Sequence, residues 1–467
     1  MTINTSTDAH VGYRPAGALH VETALEPYSG PFGERQAAHL ARRTGFGATP
    51  QEVSALQGSG LHDAIQARLH PIEADLAFPS YPDAQLLYAK NRYYTTKMWW
   101  YDRLLRTQHP FSEKMALFWH GHFATSIQKV PPALMARQIN LFRLQGGGDF
   151  RQLLLSVSQD PAMLIWLDNR SNNKAHANEN YAREVMELFS LGLGNYTEDD
   201  VKNAARAFTG WTLDRNFRFI VRADLHDTGP KTFLGRTGNF DGTDIVGILV
   251  SQPVHQRFLA RKLLEFFLYS DPEPELTEKL AQIYALSGYN IGQTVGAIVR
   301  SNIFFSERSY RALPKSPIEF EIGLLRYFGI DKVPDALPGI VARMGQDLLA
   351  PPSVKGWDGG PQWINTSTLL ARFNAVNTLM QNRKLNPGFS AAAVVSAAGG
   401  MDAERVVTYL TQRALQNDLT SAMRSTLLDY MHARNATLPT PFGPENYEER
   451  VRGVLALILN LPANQLN

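Results

Sequence analysis

Cysteine is missing from all 467 residues. That excludes disulfide frameworks, cysteine nucleophiles, thiolate zinc sites and cysteine-held iron–sulfur clusters. An excess of one charge is missing too, since 46 Lys and Arg stand against 44 Asp and Glu, a formal balance of +2. A chain that neutralises a phosphate backbone carries a clear cationic surplus, so nucleic acid is not an expected partner. No stretch approaches the roughly 20 apolar residues that span a bilayer. The best apolar segment, Val454 to Leu461, reads as a buried C-terminal helix. The opening residues lack a basic start, an apolar run, a small-residue cleavage site and a twin-arginine pair. With Met1 as the start, the expectation is a soluble cytoplasmic protein. A Walker P-loop, a G-x-S-x-G elbow and a Gly-rich dinucleotide fingerprint are absent as well. Nucleotide-driven chemistry, elbow-type serine hydrolysis and Rossmann redox are therefore not expected.

What is present is 44% apolar residues, enough for a large core. The apolar spacing is helical almost everywhere after Glu34, and the fold class it predicts is all-α. Thr49-Pro50-Gln51-Glu52 has the form of a helix start, with a hydroxyl cap, proline at the first turn and glutamate three residues on. Residues 1–33, without a helical period, read as an extended arm. Residues 34–383 form the main helical domain, and 384–467 a C-terminal helical segment packed on it. Two stretches break the pattern. Between about 216 and 238, alternation of Phe217, Phe219 and Val221 with Arg218, Ile220 and Arg222 predicts a short β-hairpin excursion. At 351–363, PPSVKGWDGGPQW predicts a structured loop.

Three places can carry chemistry. In HANENYAREVMELF (176–189), about 100° per residue sets His176, Glu179, Asn180, Arg183, Glu184 and Glu187 on one helical stripe, opposite Tyr181, Val185 and Leu188. Such a stripe can hold a divalent metal or tune one carboxylate as an acid or base. It is equally the pattern of a solvated surface helix with an ordinary ion pair. In Trp119-His120-Gly121-His122, a glycine at a helix terminus lets two imidazoles face one cavity as metal ligands or proton shuttles. The alternative is that they satisfy free carbonyls at a helix end. Around Asp224-Leu225-His226-Asp227, an imidazole and carboxylate on an irregular segment suit a site, or a capped turn before Gly229-Pro230. Gly210 is placed to end the helix before Trp211. Trp357 and Trp363 suit an aromatic platform for a sugar, or plugs that fix the loop to the core.

Six segments in order, HLARRTGFGATP (39–50), FWHGHFATS (118–126), LDNRSNNKAHANENYAREVMELFSLGLGNYTEDDV (167–201), ARAFTGW (205–211), HDTGPKTFLG (226–235) and PPSVKGWDGGPQWINTSTLLAR (351–372), resemble the bacterial domain-of-unknown-function 1800 family. The resemblance implies no settled activity. It implies a bacterial protein of a kind often exported, and as a partner a protein of the sulfatase-like family whose genes neighbour this one. It also places the polar stripe, the histidine pair and His226-Asp227 within the family's own segments. The functional expectation is a metal-assisted or acid/base hydrolase acting on a polar substrate such as a carbohydrate, with a divalent metal as its candidate cofactor. Glu184, Glu187, Arg183, His226 and Asp227 are its candidate catalytic residues. Asn178, Glu179, Asn180, Trp211 and Trp357 are its candidate substrate contacts, and His120 and His122 its candidate metal ligands. The contrasting expectation is a non-catalytic binding or assembly factor whose polar network is structural.

Overall fold

The computed structural model describes residues 20–70, 92–382, 389–434 and 440–467. Cap residues set where its helices begin. Thr49 Oγ1 accepts from the Glu52 amide (3.1 Å) while Glu52 Oε2 accepts from the Thr49 amide (2.6 Å), with Pro50 in the first turn. This is the reciprocal capping box expected of that string. Thr197 and Asp200 repeat it at helix Glu198–Ala207. Asp149, Asp160, Asp241 and Asn365 cap four more helices through their side chains. Twenty-one α-helices result among the described residues, and none is long and apolar enough to cross a membrane.

The β excursion is two hairpins. Strand β1 (Trp211–Leu213) pairs antiparallel with β2 (Phe219–Val221), and β3 (Lys231–Phe233) with β4 (Arg236–Gly238). Asp214 turns the first, its Oδ1 accepting from the amides of Asn216 and Arg218 at 2.8 Å each. The pairing therefore begins at Trp211, five residues before the alternation at 216 that announces it.

Among the described residues two large apolar cores form, beside a small cluster of Ala37, Ala38 and Val53. The larger gathers residues from Ala24 to Leu349. The second joins Phe320, Leu324 and Met344 to the helices from Thr366–Gln381 to Tyr447–Asn460. The C-terminal packing unit thus takes in a helix that ends just before 384, and residues 383–388 lie outside the described ones. Of the 1–33 arm, the described part holds a short helix, Val21–Ala24, and a bridge from Pro27 to Ser301, with Leu25 and Phe32 packed on the larger core.

Among the described residues four histidines are buried: His39, His120, His122 and His255. Burial is the leading cause that pushes each below the usual imidazole range, to about 3 for His120 and about 4 for His255. Two buried carboxyls move the other way. Asp160 and Glu321 are each raised to about 7, again chiefly by burial. The signs oppose each other. Below an unfolded imidazole value near 6.5, the unfolded chain takes up four protons that the folded chain refuses, so stability falls as pH drops. Between about 4 and 7 the folded chain holds two carboxyl protons that the unfolded chain has released, so those two groups favour folding as pH drops. Four outweigh two. Unfolding at pH 5 to 6 is expected to take up about two protons, with stability falling by about 2 kcal/mol per pH unit on acidification. Denaturant melts across that range test this, and a flat or rising profile would contradict it.

Candidate functional site

Helix Glu179–Glu187 starts one turn later than the stripe requires. Asn178 is its cap, with Oδ1 accepting from the Asn180 amide at 3.0 Å. His176 therefore sits before the helix, exposed in a tight turn bridged to Asn173, and leaves the stripe. Three of the charges that remain, Arg183, Glu179 and Glu187, have side-chain partners. Arg183 donates to both carboxylate oxygens of Glu198 (2.7 and 2.8 Å) and to Glu179 (3.3 Å). Glu187 accepts from the Tyr196 hydroxyl at 2.5 Å. Half-buried Glu184 has its carboxyl pushed up by burial and then by the Glu187 charge.

His226 and Asp227 are locked into a turn. Asp227 receives a two-pronged contact from Arg206 (2.7 and 3.2 Å), which holds its carboxyl below the ordinary range, and also accepts from the Gly229 amide at 2.8 Å. His226 Nδ1 lies 2.8 Å from the Thr209 carbonyl. Lys231 donates to the carbonyls of Asp227 and Gly229. Gly210 takes φ +81° as its cap position requires. Trp211 is buried between Phe208 and Phe219, edge-on to both, so its ring is core rather than a ligand face.

The His120-Gly121-His122 string lies within helix Pro110–His122 rather than beyond it. Residues two apart on a helix point roughly 200° apart, so the two imidazoles diverge instead of sharing a cavity. His120 is sealed between Trp100 (5.3 Å) and Trp357 (5.4 Å), with neither nitrogen hydrogen-bonded. His122 turns the other way, its Nε2 3.1 Å from the Phe189 carbonyl. A carbonyl only accepts, so Nε2 carries the proton and Nδ1 is an acceptor. The joint metal role expected of the pair loses its geometry. Among the described residues no group of three or more His, Asp or Glu is placed to hold a metal ion.

His122 does border a cavity of about 390 Å³. Its walls come from the end of helix Pro110–His122, the end of helix Pro253–Phe267, the 313–319 segment and the 351–363 loop. Of the residues expected to act, only His122 and Trp357 line it. The stripe and the His226-Asp227 turn do not. Phe118, Phe266 and Trp363 supply further aromatic surface. Four side-chain carboxylates reach it, and each has a basic partner: Glu265 (2.9 Å) and Asp271 (2.6 Å) on Arg261, Glu319 on Lys114, and Asp358 on Lys355 (2.9 Å). Two cations have no carboxylate within ion-pair distance. Arg43 spends Nε and Nη2 on the carbonyls of Phe267 and Leu268. Lys262 lies 5.1 Å from the Phe258 ring, and burial lowers its ammonium from the ordinary lysine range against the opposing charge of Glu265. Sequence reasoning missed both. Their signals were a basic doublet in HLARRTGFG and a second basic residue in the apolar run RKLLEFF, too common to single out.

The loop that closes this cavity hangs on a glycine contact. Gly356 has φ +85°, and a Cβ there overlaps the Gly121 carbonyl oxygen. The reverse is roomy, since a Cβ on Gly121 meets nothing nearer than Trp357 Cε3 at 4.0 Å. Gly356→Ala is therefore expected to cost about 1–3 kcal/mol and release Trp357, seen as a red-shifted emission. Gly121→Ala, in a helix, is expected to be neutral or mildly stabilising. Equal effects of the two changes would contradict this docking.

Neither the curated proteins nor the solved structures give a match to this chain. A family does match, over residues 39–466, and its span takes in both cores, the histidine helix and the wall loop. The chain belongs to the DUF1800 family of proteins of unknown function.

Proposed function

We propose that the protein is an acid/base hydrolase working in the 390 Å³ cavity, with His122 as general base. The observation that carries this reading is the His122 imidazole. It is kept neutral by burial, its Nε2–H is committed to the Phe189 carbonyl, and its Nδ1 lone pair is left to accept a proton at a cavity wall. Fixing one ring nitrogen on a carbonyl so that the other acts as base is a recurrent way of setting a tautomer. In this reading Nδ1 takes a proton from water, the water oxygen bonds to the substrate, the charge that develops faces the Lys262 ammonium, and the bond to the leaving group breaks as Nδ1 returns the proton to the departing oxygen. The expected carbohydrate character of the substrate finds support in Trp357 and Trp363 on the wall. Glu187 and Asp227, away from the cavity lining, act as hydrogen-bond and ion-pair partners that hold the surrounding elements, and Glu184 also lies off that lining.

The second reading, a binding or assembly factor without turnover, draws on that pairing of Arg183 with Glu198 and Asp227 with Arg206. The sulfatase-like partner implied by the resemblance belongs with it.

His122→Gln separates the two readings. Glutamine Nε2 can keep the donor to Phe189 but offers no base. Against ester, glycoside and phosphoester panels, the variant is expected to lose about 10²–10⁴-fold in turnover with an unchanged melt. Full activity in the variant, or no turnover by the wild type on any class, would remove the hydrolase reading.

The pH profile should be shifted at both ends. His122 is lowered by burial first, with the Lys262 and His255 charges adding and the Phe189 bond opposing. A base works deprotonated, so activity is expected to hold through pH 6, where an ordinary histidine would already titrate. Lys262 is lowered by burial first, with Lys355 adding and Glu265 opposing, and its positive charge is lost on deprotonation. The alkaline limb in kcat/KM is therefore expected below the ordinary lysine value near 10.4. An acid limb at 6.5 would argue against His122 as the base.

A further inference from the structure

We infer that the cavity takes a ring-shaped substrate bearing an oxyanion, a carboxylate or phosphate on a sugar-sized ring. The charge would sit on Lys262 and Arg43 and the ring against Trp357. This rests on the hydrolase reading for the place of the site, and it adds the substrate's class.

The argument is a balance of charge inside one hollow. Each of the four side-chain carboxylates at the cavity has a basic partner within ion-pair distance, Glu265 and Asp271 on Arg261, Asp358 on Lys355 of its own loop, and Glu319 on Lys114. Lys262 and Arg43 have no carboxylate within that distance, and Glu265 and Glu319 act on them only from farther off. Arg43 is 2% exposed, and its two bonds to helix-end carbonyls orient the guanidinium and leave Nη1 uncommitted. A buried guanidinium and a half-buried ammonium at one cavity, neither in ion-pair contact with a carboxylate, offer charged donors that an anionic ligand would engage. Trp357 lines the same cavity from a loop whose other cavity charges, Lys355 and Asp358, pair with each other at 2.9 Å. Charged donors and an aromatic residue around one hollow match a ring with one ionised substituent. The volume of about 390 Å³ suits a ligand of that size.

The test uses the full chain carrying His122→Gln, so that binding is read without turnover. The probes are glucose, glucuronate and glucose 6-phosphate, followed by calorimetry and tryptophan emission at low salt. Glucuronate or glucose 6-phosphate, or both, should bind at least tenfold more tightly than glucose, and which of them does identifies the oxyanion. Adding Lys262→Met should reduce that preference to within about twofold, and Trp357→Ala should weaken every probe that binds by a similar factor. Lys262→Gln serves as a second neutral variant if the methionine change melts early. Equal binding of glucose and both anions, no binding of any probe, or a preference that survives loss of the Lys262 charge would each overturn the inference. Tight anion binding together with no wild-type hydrolysis of any anionic glycoside would uphold this inference and sink the hydrolase reading, so the two fail separately.

Discussion

Two neutral imidazoles hold the centre of this molecule. His122 and His255 reach the consecutive carbonyls of Phe189 and Ser190, just past the end of helix Glu179–Glu187, at 3.1 Å each. A helix end buried in apolar surroundings leaves carbonyls that water cannot reach, and each left unmet costs about 1–3 kcal/mol. The two rings meet that need from two other helices, Pro110–His122 and Pro253–Phe267, and so fasten three elements at one point. His255 also touches the Tyr284 hydroxyl (3.1 Å), extending the tie to a fourth helix. Burial keeps both rings neutral, each donating to its carbonyl through one nitrogen.

The cavity lies along the same two helices. Helices Pro110–His122 and Pro253–Phe267 run past each other, with His122 near Phe258 and Phe118 against Phe266 at 4.9 Å, and the space beside them is roofed by the 351–363 loop. Below it, buried Lys114 and Glu319 make an ion pair, and Glu319 also accepts from the Ser316 amide at 2.6 Å. A buried pair of this kind adds little net stability, but each partner fixes the other's position, which here sets the floor.

Much of the scaffold was written locally and little of the site was. Thr49 with Glu52 and Thr197 with Asp200 announced their helices because capping depends on residues three apart. The turn at Gly210 was legible for the same reason. Asn178 was misjudged as part of a continuous helix, although its short amide favours the cap position, and that error carried His176 onto a face it does not share. The histidine pair was read as convergent because a glycine between them suggested a bend. The helix continues through Gly121, whose missing side chain serves the loop that lies against it. Arg43, His122, Lys262 and Trp357 come from four parts of the chain, and no periodicity within any one of them encodes that they meet.

The dependence of the roof on Gly356 has an evolutionary corollary. A wall held by the Gly356 contact, the Trp357 ring on His120 and buried Trp363 can change its remaining residues without disturbing the base beneath it. Proteins built on this frame can therefore diverge in what they recognise by redrafting a dozen positions near the tryptophan, while the imidazole junction, bound to three helices at once, resists drift.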